Sequence, residues 1–126
     1  MIALVSTVDG SFAVDLEDGT VFSADAFDPA PEPMLNLPRL VSAASAGPTV
    51  AAVVATKPPL LLSHDAGTTW RAAGRGLPAG RAVVISEDDP DTILFAARNR
   101  LYLSRDGGVF WTAVAGELPE IRYLAL

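Results

Sequence analysis

The sequence predicts an all-β chain built from blades of a β-propeller, each blade being a sheet of four antiparallel strands. Three observations predict this fold: two markers recur together about every 40 residues, four short apolar runs lie between successive markers, and turn-forming residues bound those runs. A repeat of roughly 40 residues made of short strands is typical of a propeller blade. No stretch shows the 3.6-residue periodicity of a long helix.

The repeat is carried by two independent markers. A Leu-Pro pair occurs three times, with prolines at Pro38, Pro78 and Pro119, 40 and 41 residues apart. The segment 63–70 matches the segment 104–111 at Ser, Asp, Gly and Trp, again 41 residues apart. A weaker third copy at 15–22 keeps the glycine, an acidic residue and a final aromatic, and its 48-residue offset places the extra length in the proline-rich stretch 28–38.

The apolar runs predict twelve strands in chain order. They are 2–7, 11–16, 21–26, 40–45, 50–56, 60–64, 69–74, 81–86, 92–98, 100–105, 110–116 and 121–126. Runs such as 51–55 are apolar on both faces, which suits strands stacked between neighbouring sheets. The units they predict are blade 1 at 1–37 plus 120–126, blade 2 at 38–78 and blade 3 at 79–119.

Turn chemistry separates these strands. The run 88–91, Asp-Asp-Pro-Asp, combines Asx and proline turn signals. Asp9-Gly10 and Asp106-Gly107 suit tight hairpins, because glycine takes a positive φ without steric cost.

The second marker resembles the Asp-box, or BNR repeat, of sialidase-like and sortilin-like propellers. The residues that carry the resemblance are Ser63, Asp65, Gly67, Thr69 and Trp70 in one copy and Ser104, Asp106, Gly108 and Trp111 in the other. Phe110 replaces the usual Thr in the second copy. The resemblance implies a structural hairpin between the third and fourth strands of a blade, away from the usual ligand face. Asp65 and Asp106 lie a whole blade apart, whereas glycosidase carboxylates lie within about 10 Å of each other.

The two ends of the chain predict a partner. The N-terminus begins on what aligns as a second strand, and the strand 121–126 is an extra first strand at the C-terminus. Three blades leave a ring unfilled, since propellers typically have about four to eight. We therefore expect a homodimer that forms one six-bladed ring, with each C-terminal strand completing the first blade of the other copy. A piece of a longer propeller predicts the same ring.

Composition excludes several classes of partner. Nine Lys and Arg against 15 Asp and Glu give a net charge of -6, which disfavours nucleic acid. There is no cysteine and therefore no disulfide or thiolate metal site. No apolar run reaches the ~18 residues of a membrane helix, and no signal-peptide pattern is present, so a cytoplasmic protein is expected. No cofactor and no metal are predicted, because the acidic loop 87–91 lacks the spacing and glycine of a calcium loop.

Candidate ligand contacts lie in the loops that enter each first strand and join each second strand to the third. Their cations are Arg39, Arg81, Arg122, Lys57, Arg98 and Arg100. The guanidinium group of an arginine donates two parallel hydrogen bonds to a carboxylate. In the sialidase-like enzymes that the motif resembles, arginines hold the carboxylate of a sugar. The alternative is that these side chains pair with Glu87, Glu117 and Glu120 around a wet channel.

No catalytic residue is predicted. A nucleophile of the sialidase-like kind would be Tyr102 or Tyr123, and Tyr123 lies on an apolar strand that favours core packing. His64, the one histidine, occupies a variable position of the motif. The expected function is a non-catalytic binding or scaffold module, with a lectin or a sialidase-like hydrolase as the alternative.

Overall fold

The computed structural model describes the whole chain, residues 1–126, and contains twelve strands and no helix. They are β1 (Ile2–Thr7), β2 (Gly10–Asp15), β3 (Val21–Ala24), β4 (Leu40–Ala46), β5 (Thr49–Val54), β6 (Leu60–Ser63), β7 (Arg71–Ala73), β8 (Ala82–Ile85), β9 (Ile93–Ala96), β10 (Leu101–Ser104), β11 (Thr112–Val114) and β12 (Ile121–Ala125). The prediction of an all-β chain is confirmed, and every predicted strand boundary lies within two residues of the observed one.

The strands form three sheets of four antiparallel strands. The first sheet has the order β12-β1-β2-β3, the second β4-β5-β6-β7 and the third β8-β9-β10-β11. In each sheet the last strand is short, three or four residues. Three such sheets agree with three propeller blades.

In this single chain the C-terminal strand completes the first sheet, since β12 pairs with β1 and places Val5 opposite Leu124. Exchange of this strand between two copies stays a prediction. The short connection from β11 to β12, residues 115–120, is held beside both neighbouring sheets. The amide of Ile121 donates to the carbonyl of Arg98, and the amide of Val8 donates to the carbonyl of Glu120. The strand thus completes the first sheet without a partner.

The third sheet is the middle layer of the molecule. One apolar cluster joins it to the first sheet and includes Ala3, Val5, Leu101, Ile121 and Leu124. A second cluster joins it to the second sheet and includes Val53, Leu60, Leu62, Ile93 and Phe95. The sheets therefore follow the spatial order second, third, first, and both interfaces are buried on the apolar faces that the sequence predicted.

The connection 25–39 links the two outer sheets. It has 15 residues, whereas the β7–β8 connection has eight, and it carries the proline-rich insertion. Near its start, the Tyr123 hydroxyl donates to the Phe27 carbonyl at 2.7 Å, and the two rings meet edge-on at 5.2 Å. Further along, Glu32 accepts a hydrogen bond from Ser42 of β4 at 3.0 Å. The connection is thus fastened to both outer sheets.

The free side of the first sheet remains apolar and open. Ile2 is 48% exposed and Phe22 is 53% exposed on the face turned away from the third sheet. On the second sheet, by contrast, Val50, Ala52 and Val54 are buried on the face turned away from the third sheet. The two outer sheets therefore differ in how much apolar surface they leave to solvent. No helix of the structure has the length and apolar character needed to cross a bilayer.

Candidate functional site

The loops of the molecule lie at two opposite ends. Connections from odd- to even-numbered strands lie at one end, and connections from even- to odd-numbered strands, with the chain termini, lie at the other. Hydrogen bonds between neighbouring loops support this grouping: the amide of Leu118 donates to the carbonyl of Asn99 at the first end, and the amide of Gly107 donates to the carbonyl of Asp91 at the second. We call them the cation-bearing end and the hairpin end.

Charge is divided unequally between the two ends. The hairpin end has two cations, Arg71 and Arg105, against nine Asp and Glu, a formal charge of -7. The cation-bearing end has seven cations against six acids, a formal charge of +1. Seven of the nine Lys and Arg of the chain therefore lie at one end. Such a distribution repels anions from the hairpin end and leaves the cation-bearing end as the more favourable one for an anion.

Two of the predicted arginines meet at a glutamate. Arg81 Nη2 lies 2.9 Å and Arg98 Nε 3.1 Å from the same Oε1 atom of Glu120. The hydrogen bond from Arg81, together with the charges of Arg81 and Arg98, holds the pKa of Glu120 below its ordinary value of 4.5. This cluster has two cations for one carboxylate and keeps a net positive charge.

The other predicted cations make no ion pair. Arg39, Arg100 and Arg122 are exposed, and none of them lies within 4 Å of a carboxylate oxygen. The guanidinium of Arg122 lies 5.6 Å from the centre of the neighbouring Tyr123 ring. The structure therefore brings together Arg81 and Arg98 but leaves the other three arginines and Lys57 as separate, unpaired charges of the same end.

A cleft at this end was missed by the sequence reasoning. It has a volume of about 300 Å³ and is lined by Lys57, Pro58, Pro59, Arg75, Gly76 and Leu77. Lys57 and Arg75 are exposed and unpaired, and no carboxylate lines the cleft. Arg75 escaped notice because it belongs to neither repeat marker. Its position in the β7–β8 connection could have indicated it, because this connection joins an odd- to an even-numbered strand and therefore lies at the cation-bearing end.

A larger cavity lies where β4, β8 and β12 approach one another. Its volume is about 570 Å³, and its polar lining includes Glu32, Ser42, Ser45, Ser86, Glu87 and Asp88. None of the predicted arginines lines it. Tyr123 does line it, but its hydroxyl is bound to the carbonyl of Phe27. The cavity therefore presents carboxylates and hydroxyls and no lysine or arginine.

The first of the two matched hairpins is held by its own side chains. Ser63 Oγ donates to Asp65 Oδ1 at 2.7 Å, and the amide of Thr69 donates to the same oxygen at 2.8 Å. Thr69 Oγ1 donates to Asp65 Oδ2 at 2.6 Å. The hydroxyl and amide of Thr69, with Ser63, lower the pKa of Asp65 to about 2. The carboxylate is therefore used within its own turn.

The second hairpin repeats most of this pattern. Ser104 Oγ donates to Asp106 Oδ1 at 2.8 Å, and the amide of Phe110 donates to the same atom at 3.0 Å. The amide of Gly108 donates to Ser104 Oγ at 2.8 Å, as the amide of Gly67 does to Ser63 Oγ. Trp111 packs beneath the turn, with its indole nitrogen donating to the Gly108 carbonyl. The weaker third copy differs, because Glu17 accepts from Arg105 instead of capping its own loop.

Other candidate chemistry is absent from these ends. His64 is exposed, and Tyr102 is half-buried with its ring 6.3 Å from that of Phe95. No group of three or more His, Cys, Asp or Glu is placed to hold a metal ion.

Comparison with known proteins supports the fold alone. No protein-family model matches the chain, and no curated protein matches it in sequence. Among solved structures, the GH74 enzyme of Niastella koreensis is similar over 89% of this chain, with a TM-score of 0.50 and 23% identity. The chain spans 17% of the length of that enzyme.

Proposed function

We propose that the protein is a non-catalytic β-propeller binding module whose cation-bearing end holds a carboxylate-bearing ligand. The observation that carries this proposal is the placement of seven of the nine cations at one end, five of them without an ion-pair partner. An exposed cation whose charge is not met by the protein is free to meet that of a ligand.

The cleft between Lys57 and Arg75 is the proposed place for such a ligand, because two unpaired cations and no carboxylate line it. Its volume of about 300 Å³ lies at the small end of ligand pockets, so it suits a single acidic group or sugar acid. Pro58, Pro59 and Leu77 supply apolar walls, and the two cations supply orientation. Arg81 and Arg98 lie at the same end but already share Glu120, so they would add positive charge instead of direct contacts to the ligand.

The two matched hairpins are proposed to be Asp-boxes with a structural role. What supports this is the resemblance in sequence and the use of both aspartates within their own turns. They lie at the end opposite to the cation-bearing one, which is where the resemblance implies they should be. The proposal therefore assigns the two ends different tasks.

A glycan-directed enzyme is the second candidate, and the fold-level similarity to a GH74 enzyme is what favours it. The side chains argue against hydrolysis. Tyr123 has its hydroxyl engaged by a backbone carbonyl, and the carboxylate beside the arginines, Glu120, is held by both of them. Binding of an acidic sugar without turnover is therefore the expected behaviour.

The test is calorimetric titration with N-acetylneuraminate, using N-acetylglucosamine as the uncharged probe. We expect heat from the acid alone, and loss of binding by about tenfold in a Lys57→Gln, Arg75→Gln double variant. The matched control is Arg105→Gln, which removes a cation from the hairpin end. Equal binding of both sugars, or equal loss in the control, would contradict the proposal.

We further propose that two copies associate as a homodimer through the open faces of their first sheets. Ile2 and Phe22 are large apolar side chains about half exposed on that face, which neighbouring blades would normally cover. Because β12 already completes its own sheet, this contact would use sheet faces instead of an exchanged strand. Light scattering measures the mass in solution of this 13.1 kDa chain. A dimer mass in the wild type that falls to the chain mass in an Ile2→Ser, Phe22→Ser variant would support the association. A monomeric wild type would overturn it.

A further inference from the structure

The hairpin end contains a groove that is separate from the proposed ligand site. It lies where the β2–β3 loop of the first sheet meets the β10–β11 hairpin of the third, and has a volume of about 530 Å³. Its functional side chains are Glu17, Asp18, Arg105, Asp106, Phe110 and Thr112.

The two matched hairpins differ at one position that lines this groove. In the first hairpin Thr69 caps the second carboxylate oxygen of Asp65 at 2.6 Å. In the second, Phe110 stands in the corresponding place, and every hydrogen bond to the Asp106 carboxylate goes to Oδ1. Asp106 Oδ2 is therefore left without a partner in an exposed side chain beside the groove.

The same hairpin exposes two large apolar side chains. Val109 is 62% exposed and Phe110 is 76% exposed, where the first hairpin has Thr68 and Thr69. The second hairpin thus lacks a hydroxyl bond that its own repeat provides and gains no burial in exchange. A local departure from a repeat without a gain in packing is typical of a functional position.

The charge of the hairpin end indicates which kind of ligand binds in this groove. The hairpin end has a formal charge of -7, and Arg105, the cation of the groove, is neutralised by Glu17 at 2.8 Å. A carboxylate-bearing ligand would be repelled here, whereas a cation is attracted. The open face of an aromatic ring binds a guanidinium or ammonium group, and an adjacent free carboxylate oxygen accepts its hydrogen bonds.

We propose that this groove docks a basic segment of a partner protein, with an arginine or lysine lying over Phe110 and donating to Asp106 Oδ2. Val109 covers the apolar stem of the same side chain, since long cationic side chains bury their methylene groups. This site is distinct from the cation-bearing end in place and in ligand charge. It stands or falls independently of the proposed function.

The test uses the peptide acetyl-Gly-Arg-Gly-Arg-Gly-amide, with the same peptide carrying citrulline in place of arginine as the neutral probe. We expect binding of the arginine peptide at low salt, weakened by added salt, and at least fivefold weaker binding of the citrulline peptide. Phe110→Thr, which restores the residue of the first hairpin, should weaken the arginine peptide by about fivefold. Its unfolding curve shows whether the fold is kept.

Two controls separate the groove from general attraction. Asp88→Asn removes one negative charge from the same end outside the groove and should change affinity less than twofold. Thr69→Phe places a ring on the first hairpin and should not strengthen binding. Equal affinity for the citrulline peptide, an unchanged Phe110→Thr variant, or an Asp88→Asn loss as large as that of Phe110→Thr would overturn the proposal. So would binding of neutral cellohexaose at Phe110 in place of the peptide.

Discussion

Gly80 lies at the contact between the second and third sheets, and replacing it by alanine tests that contact. A Cβ atom at this position would lie 2.6 Å from Phe95 Cε2 and Cζ and 2.6 Å from Val53 Cγ1. Both neighbours are fully buried. The Phe95 ring is itself packed against Trp111, with ring centres 6.1 Å apart, so it cannot swing aside freely.

Gly80→Ala should therefore lower the free energy of unfolding by about 1 to 3 kcal/mol, the usual cost of overpacking a core. For a chain of this length that corresponds to a fall in Tm of roughly 4 °C per kcal/mol. Gly116→Ala is the matched control. No atom lies within 4 Å of its added Cβ and its φ is not positive, so it should leave stability unchanged or raise it by about 0.4 to 1 kcal/mol.

Urea unfolding followed by tryptophan fluorescence measures both variants, because Trp111 belongs to the same contact. A double variant gives a sharper test. Phe95→Leu removes the ring edge that the new methyl group would strike, so Gly80→Ala should cost at least about 1 kcal/mol less in that background. If Gly80→Ala proves as harmless as Gly116→Ala, the two sheets do not pack as described and the order of the three sheets is wrong.

Three further outcomes are expected. Thr69→Val removes the hydroxyl bond to Asp65 and should raise the pKa of that carboxyl from about 2 towards 3.8, which carbon-detected NMR titration measures. Because the pKa is depressed in the folded state, the stabilisation by Asp65 is complete above its ordinary value and is lost between roughly pH 4 and pH 2. In the variant this loss should begin at the same pH, be smaller, and be complete at a higher pH than in the parent. Leu124→Ala should lower the free energy of unfolding by about 2 to 5 kcal/mol in the same urea assay, since Leu124 is 2% exposed, and no loss would place β12 outside the core. A fluorogenic sialoside should show no turnover above a heat-killed sample.

The strands could be predicted because their cause is local. Turn residues and apolar runs set each boundary, and the 41-residue repeat placed both hairpins before any contact was known. The partner of β12 could not be predicted in this way. Pairing within the chain or between copies satisfies the same register, and the difference depends on the short connection 115–120 and on how the sheets stack.

The candidate site was predictable in composition but not in geometry. Loop positions placed Arg81 and Arg98 at one end, yet their shared contact with Glu120 depends on the approach of two blades. The cleft at Lys57 and Arg75 likewise depends on how the β5–β6 and β7–β8 connections of the second sheet approach each other. The sequence did indicate the unpaired Oδ2 atom of Asp106, because Phe110 stands where the first hairpin has the hydroxyl of Thr69.

The most direct test of the proposed function is an NMR titration of the labelled protein with N-acetylneuraminate. We expect amide shifts that are confined to the cation-bearing end, are greatest around Lys57, Arg75 and Gly76, and are lost in the Lys57→Gln, Arg75→Gln variant. Shifts confined to the hairpin end, or no shifts at millimolar sugar, would contradict it.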